Sequence, residues 1–210
     1  MNDDRNQVPG CEKHPNGPQS ESVLRVTLYG GETALLCQTG SMHSIKMVEP
    51  AENEFLASLE AKSKKPNSFF RTMANRPEVL KAFVPLYGAV MGPGSVDRRI
   101  KALVYLVCSY TNECAFCIAA NTPGAKKAGL TDEEIQAIQT DQDHVFQEAE
   151  RAVILYAREL TQNAFADDAR AVLLEHFSSE QVVEITLVAS MANFTNRFNN
   201  GLGIQPDVDS

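Results

Sequence analysis

SYTNECAFCIAANTPGAKKAGLTDEEIQAI, residues 109–138, reads as two helices and the turn between them. Cys114 and Cys117 stand at the head of the first, which is expected to run from about residue 114 to Lys127 or Ala128. Gly129 follows where a left-handed residue ends a helix. TDEE, residues 131–134, is a capping-box pattern that opens the second helix.

The helical reading extends in both directions. Upstream, Ile100, Leu103, Val104, Val107, Cys108 and Thr111 recur at helical spacing over 97–111, and Tyr105 and Leu106 make much of the other face apolar. Such a helix is central or lies in an interface. GPGS, residues 92–95, is a loop with Ser95 as the expected cap. PEVLKAFVPLYGAVM, residues 77–91, opens with a proline and should be kinked or divided at Pro85. ENEFLASLEAKS is a short amphipathic helix. Downstream, Ala149, Ala152, Val153, Tyr156 and Leu160 share one face of a helix over 147–162. DDARAVLLEHF is another helix. SSEQ, residues 178–181, caps a long final helix with a stripe of Val183, Leu187, Met191, Phe194 and Phe198.

The sequence therefore predicts an all-α domain over residues 47–210, with no strand pattern after residue 50. Residues 1–46 form an N-terminal extension, disordered or a loose hairpin. Its first 22 residues are rich in Asn, Asp, Pro, Gly and Ser, and VLRVTLYGGETALLC could fold back at Gly30-Gly31.

A formal net charge of −8 gives no electrostatic reason to bind nucleic acid or an anionic membrane. With no Trp and 7% aromatic residues there is little for base stacking. No stretch approaches the roughly 20 apolar residues of a membrane span. The start lacks the basic and apolar regions of a secretory signal, and five cysteines at irregular spacing are not a disulfide framework. A cytoplasmic location is expected.

In a reducing compartment a close cysteine pair has three readings. A structural zinc site wants four ligands. Cys11, Cys37 and Cys108 make no second pair, and His144 and His176 stand alone on separate predicted helices, so neither metal nor cofactor is expected. Two buried thiols can share a helix by chance, and Cys108 among apolar neighbours reads that way. Cys114 and Cys117 differ because the positive end of a helix favours a thiolate there. Residues three apart on a helix can also close a disulfide.

The stretch over 109–138 resembles the AhpD-like, carboxymuconolactone decarboxylase superfamily, in its peroxidase-related, alkylhydroperoxidase-like branch. KPNSFFRTMANRPEVLKAF, residues 65–83, and NFTNRFNNGLGIQPD, residues 193–207, resemble the same branch, so the likeness covers roughly residues 47–207. It implies an all-helical fold in symmetric homo-oligomers, and reduction of peroxides or of partner disulfides. It implies Cys117 as the residue that attacks peroxide and Cys114 as the one that resolves the sulfenic acid. A dithiol protein or small thiol would then restore the pair. Redox members carry a glutamate twelve residues before the first cysteine and a histidine four after the second. Here those positions are Ala102 and Asn121. Asn121 can donate a hydrogen bond but cannot accept a proton. Glu113 and Asn121 are the accessory candidates at this degenerate relay, with Glu113 also read as a solvated helix-start carboxylate. The alternative is a non-catalytic helical oligomer or redox sensor of the same superfamily.

Overall fold

The computed structural model of the chain describes residues 23–27, 33–37 and 45–207. It divides into residues 1–44 and 45–210. In the first unit, β1 (Val23–Thr27) pairs antiparallel with β2 (Thr33–Cys37), with Val23 opposite Cys37 and Thr27 opposite Thr33. The Gly30-Gly31 turn and the segment before residue 23 lie outside the described residues, as does Cys11.

The second unit is helical, with no strand among its described residues. Its α-helices are α1 (Glu54–Ser63), α2 (Ser68–Met73), α3 (Pro77–Met91), α4 (Arg98–Thr111), α5 (Ala115–Lys127), α6 (Asp132–Gln139), α7 (Glu148–Asn163), α8 (Asp167–His176) and α9 (Ser179–Leu202). The capping residues set the starts. Asn53, Asn67, Thr131 and Ser178 each accept a backbone N–H of the first turn, and Thr131 and Ser178 form the expected capping boxes. Gly129, with φ of 100°, takes the left-handed position after α5.

The centre of the unit is α4, which packs against α5, α6, α7 and α9. Leu103, Val104, Leu106 and Val107 are almost wholly buried. Each contributes roughly 1.5–3 kcal/mol of burial, which far exceeds its helix propensity differences. Arg99 fastens the start of α4 to two neighbours, reaching Glu134 at 2.6 Å and Glu150 at 2.8 Å.

Three expectations need correction or narrowing. Ser95 does not cap α4, which starts three residues later. Asp97 accepts from the Ile100 N–H at 3.0 Å, while Ser95 donates its hydroxyl to Glu184 of α9 at 2.6 Å. Of the two outcomes expected at Pro85, α3 is not divided: it runs through the proline, with Leu80, Phe83 and Val90 burying side chains on both sides of the missing hydrogen bond. His144 lies in the short 3₁₀ turn Asp143–Val145 instead of on a longer helix.

Helix α9 is apolar on two faces. Val182, Ile185, Val188, Ala189 and Ala192 meet the core, where the small side chains let α4 approach closely. Val183, Leu187 and Phe194 of the expected stripe are exposed, while Met191 is buried and Phe198 half-buried.

Candidate active site

The cysteine pair is delivered by the way α4 ends. Glu113 N–H donates to Tyr110 O at 3.0 Å and Cys114 N–H donates to Ser109 O at 2.9 Å. This is a Schellman closure, and its left-handed position falls to Glu113, with φ of 52°. The turn throws the Glu113 side chain into solvent and places Cys114 as the N-cap of α5. Cys117 lies in the first turn of α5, and its N–H donates to the Cys114 sulfur at 3.3 Å. Both thiols are free and buried.

Helix α9 supplies the other side. Asn112, at the end of α4, donates to Asn193 Oδ1 at 2.8 Å and Asn196 Oδ1 at 3.0 Å, and its carbonyl accepts from Asn200 at 2.7 Å. Asn196 donates in turn to Ser109 Oγ at 3.2 Å. This amide ladder clamps the α4–α5 junction. The next amide in the row, Asn199, points its Nδ2 at Cys117 Sγ at 3.2 Å.

Cys117 opens onto a pocket of about 230 Å³. Phe69, Phe70, Phe83, Phe116, Tyr87 and Tyr105 form most of its wall, and Asn121, Thr195 and Asn199 are among its polar groups. The rings brace one another, with Phe69 edge-on to Phe83 at a centroid distance of 5.3 Å. Tyr105 Oη lies 2.6 Å from Thr195 Oγ1. Cys114 is not among the lining residues. It sits behind Cys117.

The two thiols are electrostatically unlike. The Cys114 thiol hydrogen-bonds the Cys117 sulfur, which holds Cys117 below its ordinary value, at about 7, against the opposing effect of burial. Donation from the Asn199 amide at 3.2 Å acts in the same direction. The same hydrogen bond, together with burial, pushes Cys114 far up, so it stays a thiol. Burial pushes the Cys108 thiol up to about 11, and Cys108 is a core residue that touches Thr161 and Ala157. Burial also keeps Tyr105 protonated.

Asn121 lines the pocket, but its amide donates to the Cys117 carbonyl at 2.8 Å and not to the sulfur. Ala102 lies half-buried on α4 and carries no proton-handling group. Among the described residues no group of three His, Cys, Asp or Glu side chains could hold a metal ion. No described helix is long and apolar enough to cross a membrane.

Sequence reasoning missed the α9 asparagines, above all Asn199. Their signal is present as Asn193, Asn196 and Asn199 at intervals of three on one helical face. It is masked by the phenylalanines between them.

Residues 77–159 match the carboxymuconolactone decarboxylase family. A solved protein of unknown function from Agrobacterium tumefaciens, provisionally named as antioxidant defence protein AhpD, is 30% identical. The likeness covers 65% of this chain and 96% of that one, with a TM-score of 0.61. An uncharacterized peroxidase-related protein from Ralstonia eutropha, described as an alkylhydroperoxidase AhpD core, shares the fold at a TM-score of 0.70 and 19% identity, over 80% of this chain and 95% of that one. The uncharacterized protein YdfG of Bacillus subtilis is 26% identical over 52% of this chain and 77% of its own length.

Proposed function

The chain belongs to the AhpD-like, carboxymuconolactone decarboxylase superfamily, and from that premise we propose that it is a thiol-dependent oxidoreductase that reduces peroxides with the Cys114–Cys117 pair. One observation carries this reading: Cys117 faces an aromatic pocket under an amide donor, while Cys114 lies out of the pocket within reach of the Cys117 backbone. A thiolate that can meet a substrate and a thiol held behind it are the two halves of a peroxide cycle.

In that cycle the Cys117 thiolate attacks one peroxide oxygen. The S–O bond forms, the O–O bond breaks, and the departing oxygen leaves with a proton as alcohol or water. The Cys114 thiol then displaces the hydroxyl of the Cys117 sulfenic acid as water and closes the disulfide. An external dithiol protein or small thiol reopens it, as expected in a reducing cytoplasm. The aromatic walls favour a small substrate with an apolar body. The helix start and the donors of α9 take over the ionising role that the superfamily's glutamate and histidine serve.

Anaerobic thiol counting tests the reading. One equivalent of cumene hydroperoxide should remove two of the five thiols, and mass spectrometry should find them joined as Cys114–Cys117. An unchanged thiol count would sink it.

A further inference from the structure

The α9 asparagines are used unequally. Asn193 donates to Thr161 Oγ1 at 3.0 Å and accepts from Asn112. Asn196 donates to Ser109 and accepts from Asn112. Both heads of each amide are occupied. Asn199 donates to Cys117 Sγ at 3.2 Å, yet its Oδ1 is buried with no hydrogen-bond partner, alone in this among the described side chains. The residue is only 2% exposed and lines the pocket beside the nucleophile. Burying a carbonyl unpaired is unfavourable. Turning the amide over would not relieve it, because the carbonyl would then face the sulfur and repel a thiolate.

We propose that Asn199 is a catalytic residue with two tasks: its N–H holds the Cys117 thiolate, and its unpaired carbonyl receives the O–H of a bound hydroperoxide. The acceptor would fix the hydrogen-bearing oxygen next to the sulfur. Attack there forms S–O and breaks O–O. The hydrogen stays on the transferred oxygen as the sulfenic acid, still donating to Asn199. The departing alkoxide takes a proton from water. This inference rests on the peroxide reading, and its test separates the two.

The test uses Cys114→Ser as parent, with Asn199→Leu and Asn199→Asp added singly. The first readout needs no peroxide: the pH dependence of iodoacetamide labelling at the Cys117 peptide, followed by mass spectrometry. Both variants should raise the apparent pKa by about one unit or more, the effect of one lost charge-assisted hydrogen bond. The second readout is the rate of sulfenic acid formation with cumene hydroperoxide, corrected for the ionised fraction. Asn199→Leu should lose roughly tenfold, and Asn199→Asp, which keeps an acceptor, should lose less. If Asn199→Leu does not fold, the isosteric Asn199→Asp still reads the titration. An unmoved titration in a folded variant overturns the role of the N–H, and an unchanged corrected rate in folded Asn199→Leu overturns the role of the carbonyl. A shifted titration in a parent that no hydroperoxide oxidises overturns the carbonyl's role together with the peroxide reading, while the hold on the thiolate stands.

Discussion

The Cys117 N–H donates to the Cys114 sulfur at 3.3 Å, so the first cysteine caps the helix whose first turn carries the second. On the peroxide reading, that relation sets the order expected of the two thiols. Cys114 contributes a hydrogen bond to its partner and has no opening to the pocket, whereas Cys117 faces it. Cys117→Ser should therefore abolish peroxide consumption. Cys114→Ser should still react once and stop, with a sulfenic acid or mixed disulfide at Cys117 that dimedone labelling and mass spectrometry would detect. Wild-type behaviour in both variants would make the pair structural.

Reactivity should follow Cys117 ionisation. Its thiol is held at about 7 and Cys108 at about 11, so labelling at the Cys117 peptide should rise through neutrality while Cys108 stays silent. The sign is that of a lowered folded-state value: the thiolate is present above about 7 and is lost as pH falls through it. Labelling that rises only near 9 would contradict the donor arrangement around the sulfur.

Acid should weaken the fold at a place away from the thiols. Burial opposes ionisation of Glu184, but the Lys101 ammonium, the Ser95 hydroxyl and two backbone N–H groups overcome it and hold the carboxyl at about 2. The folded value lies below the unfolded one. The stability gained is therefore complete above about 4.5 and lost as pH falls toward 2, roughly 2–3 kcal/mol in all. Urea unfolding at pH 7, 4 and 3 should show the slope, and Lys101→Met should flatten it while removing the donor to the carbonyls of Val90 and Gly92. An equal slope in the variant would place the acid sensitivity elsewhere.

Much of this was legible in the chain. Capping residues and apolar spacing located the helices because both act locally, and the all-round apolar character of residues 97–111 marked α4 as central. The resemblance over 109–138 singled out Cys114 and Cys117. Other features depend on contacts that no local pattern encodes. Ser95 looks like a cap until Glu184, far along the chain, takes its hydroxyl. Glu113 occupies a left-handed position usually given to Gly, and its side chain faces solvent as a helix-start carboxylate would; the turn it makes is what the sequence did not show. Asn199 lies 82 residues from the thiol it touches, and only the packing of α9 on α5 brings them together.

Self-association should involve the outer face of α9. Val183, Leu187 and Phe194 are about half exposed, and Leu86 of α3 is 55% exposed. Apolar surface of this kind marks an interaction site. Size exclusion with light scattering should give a homo-oligomer at micromolar concentration. Leu187→Asp should shift it toward monomer by weakening association at least tenfold, with circular dichroism unchanged. A wild-type monomer would leave this face without a partner.

The last prediction concerns what Ala102 and Asn121 withhold. Since α9 and Cys114 already bring Cys117 to about 7, an added base has little to gain at pH 8 and more at pH 6, where most of the sulfur is protonated. Asn121 lines the pocket but is spent on the Cys117 carbonyl, so a histidine there would need a carboxylate to orient it. Ala102→Glu with Asn121→His should raise the peroxide rate roughly tenfold at pH 6 and little at pH 8, because the gain is limited to the fraction of the sulfur that is still protonated. Asn121→His alone should change it by less than about threefold, since an unoriented base contributes little. Stopped-flow rates against pH for wild type, the single and the double variant decide the matter. An equal gain at both pH values would mean that the histidine acts on the departing oxygen and not on the thiol. No gain in a folded double variant would show that the α9 donors already supply all the activation that this pocket can use.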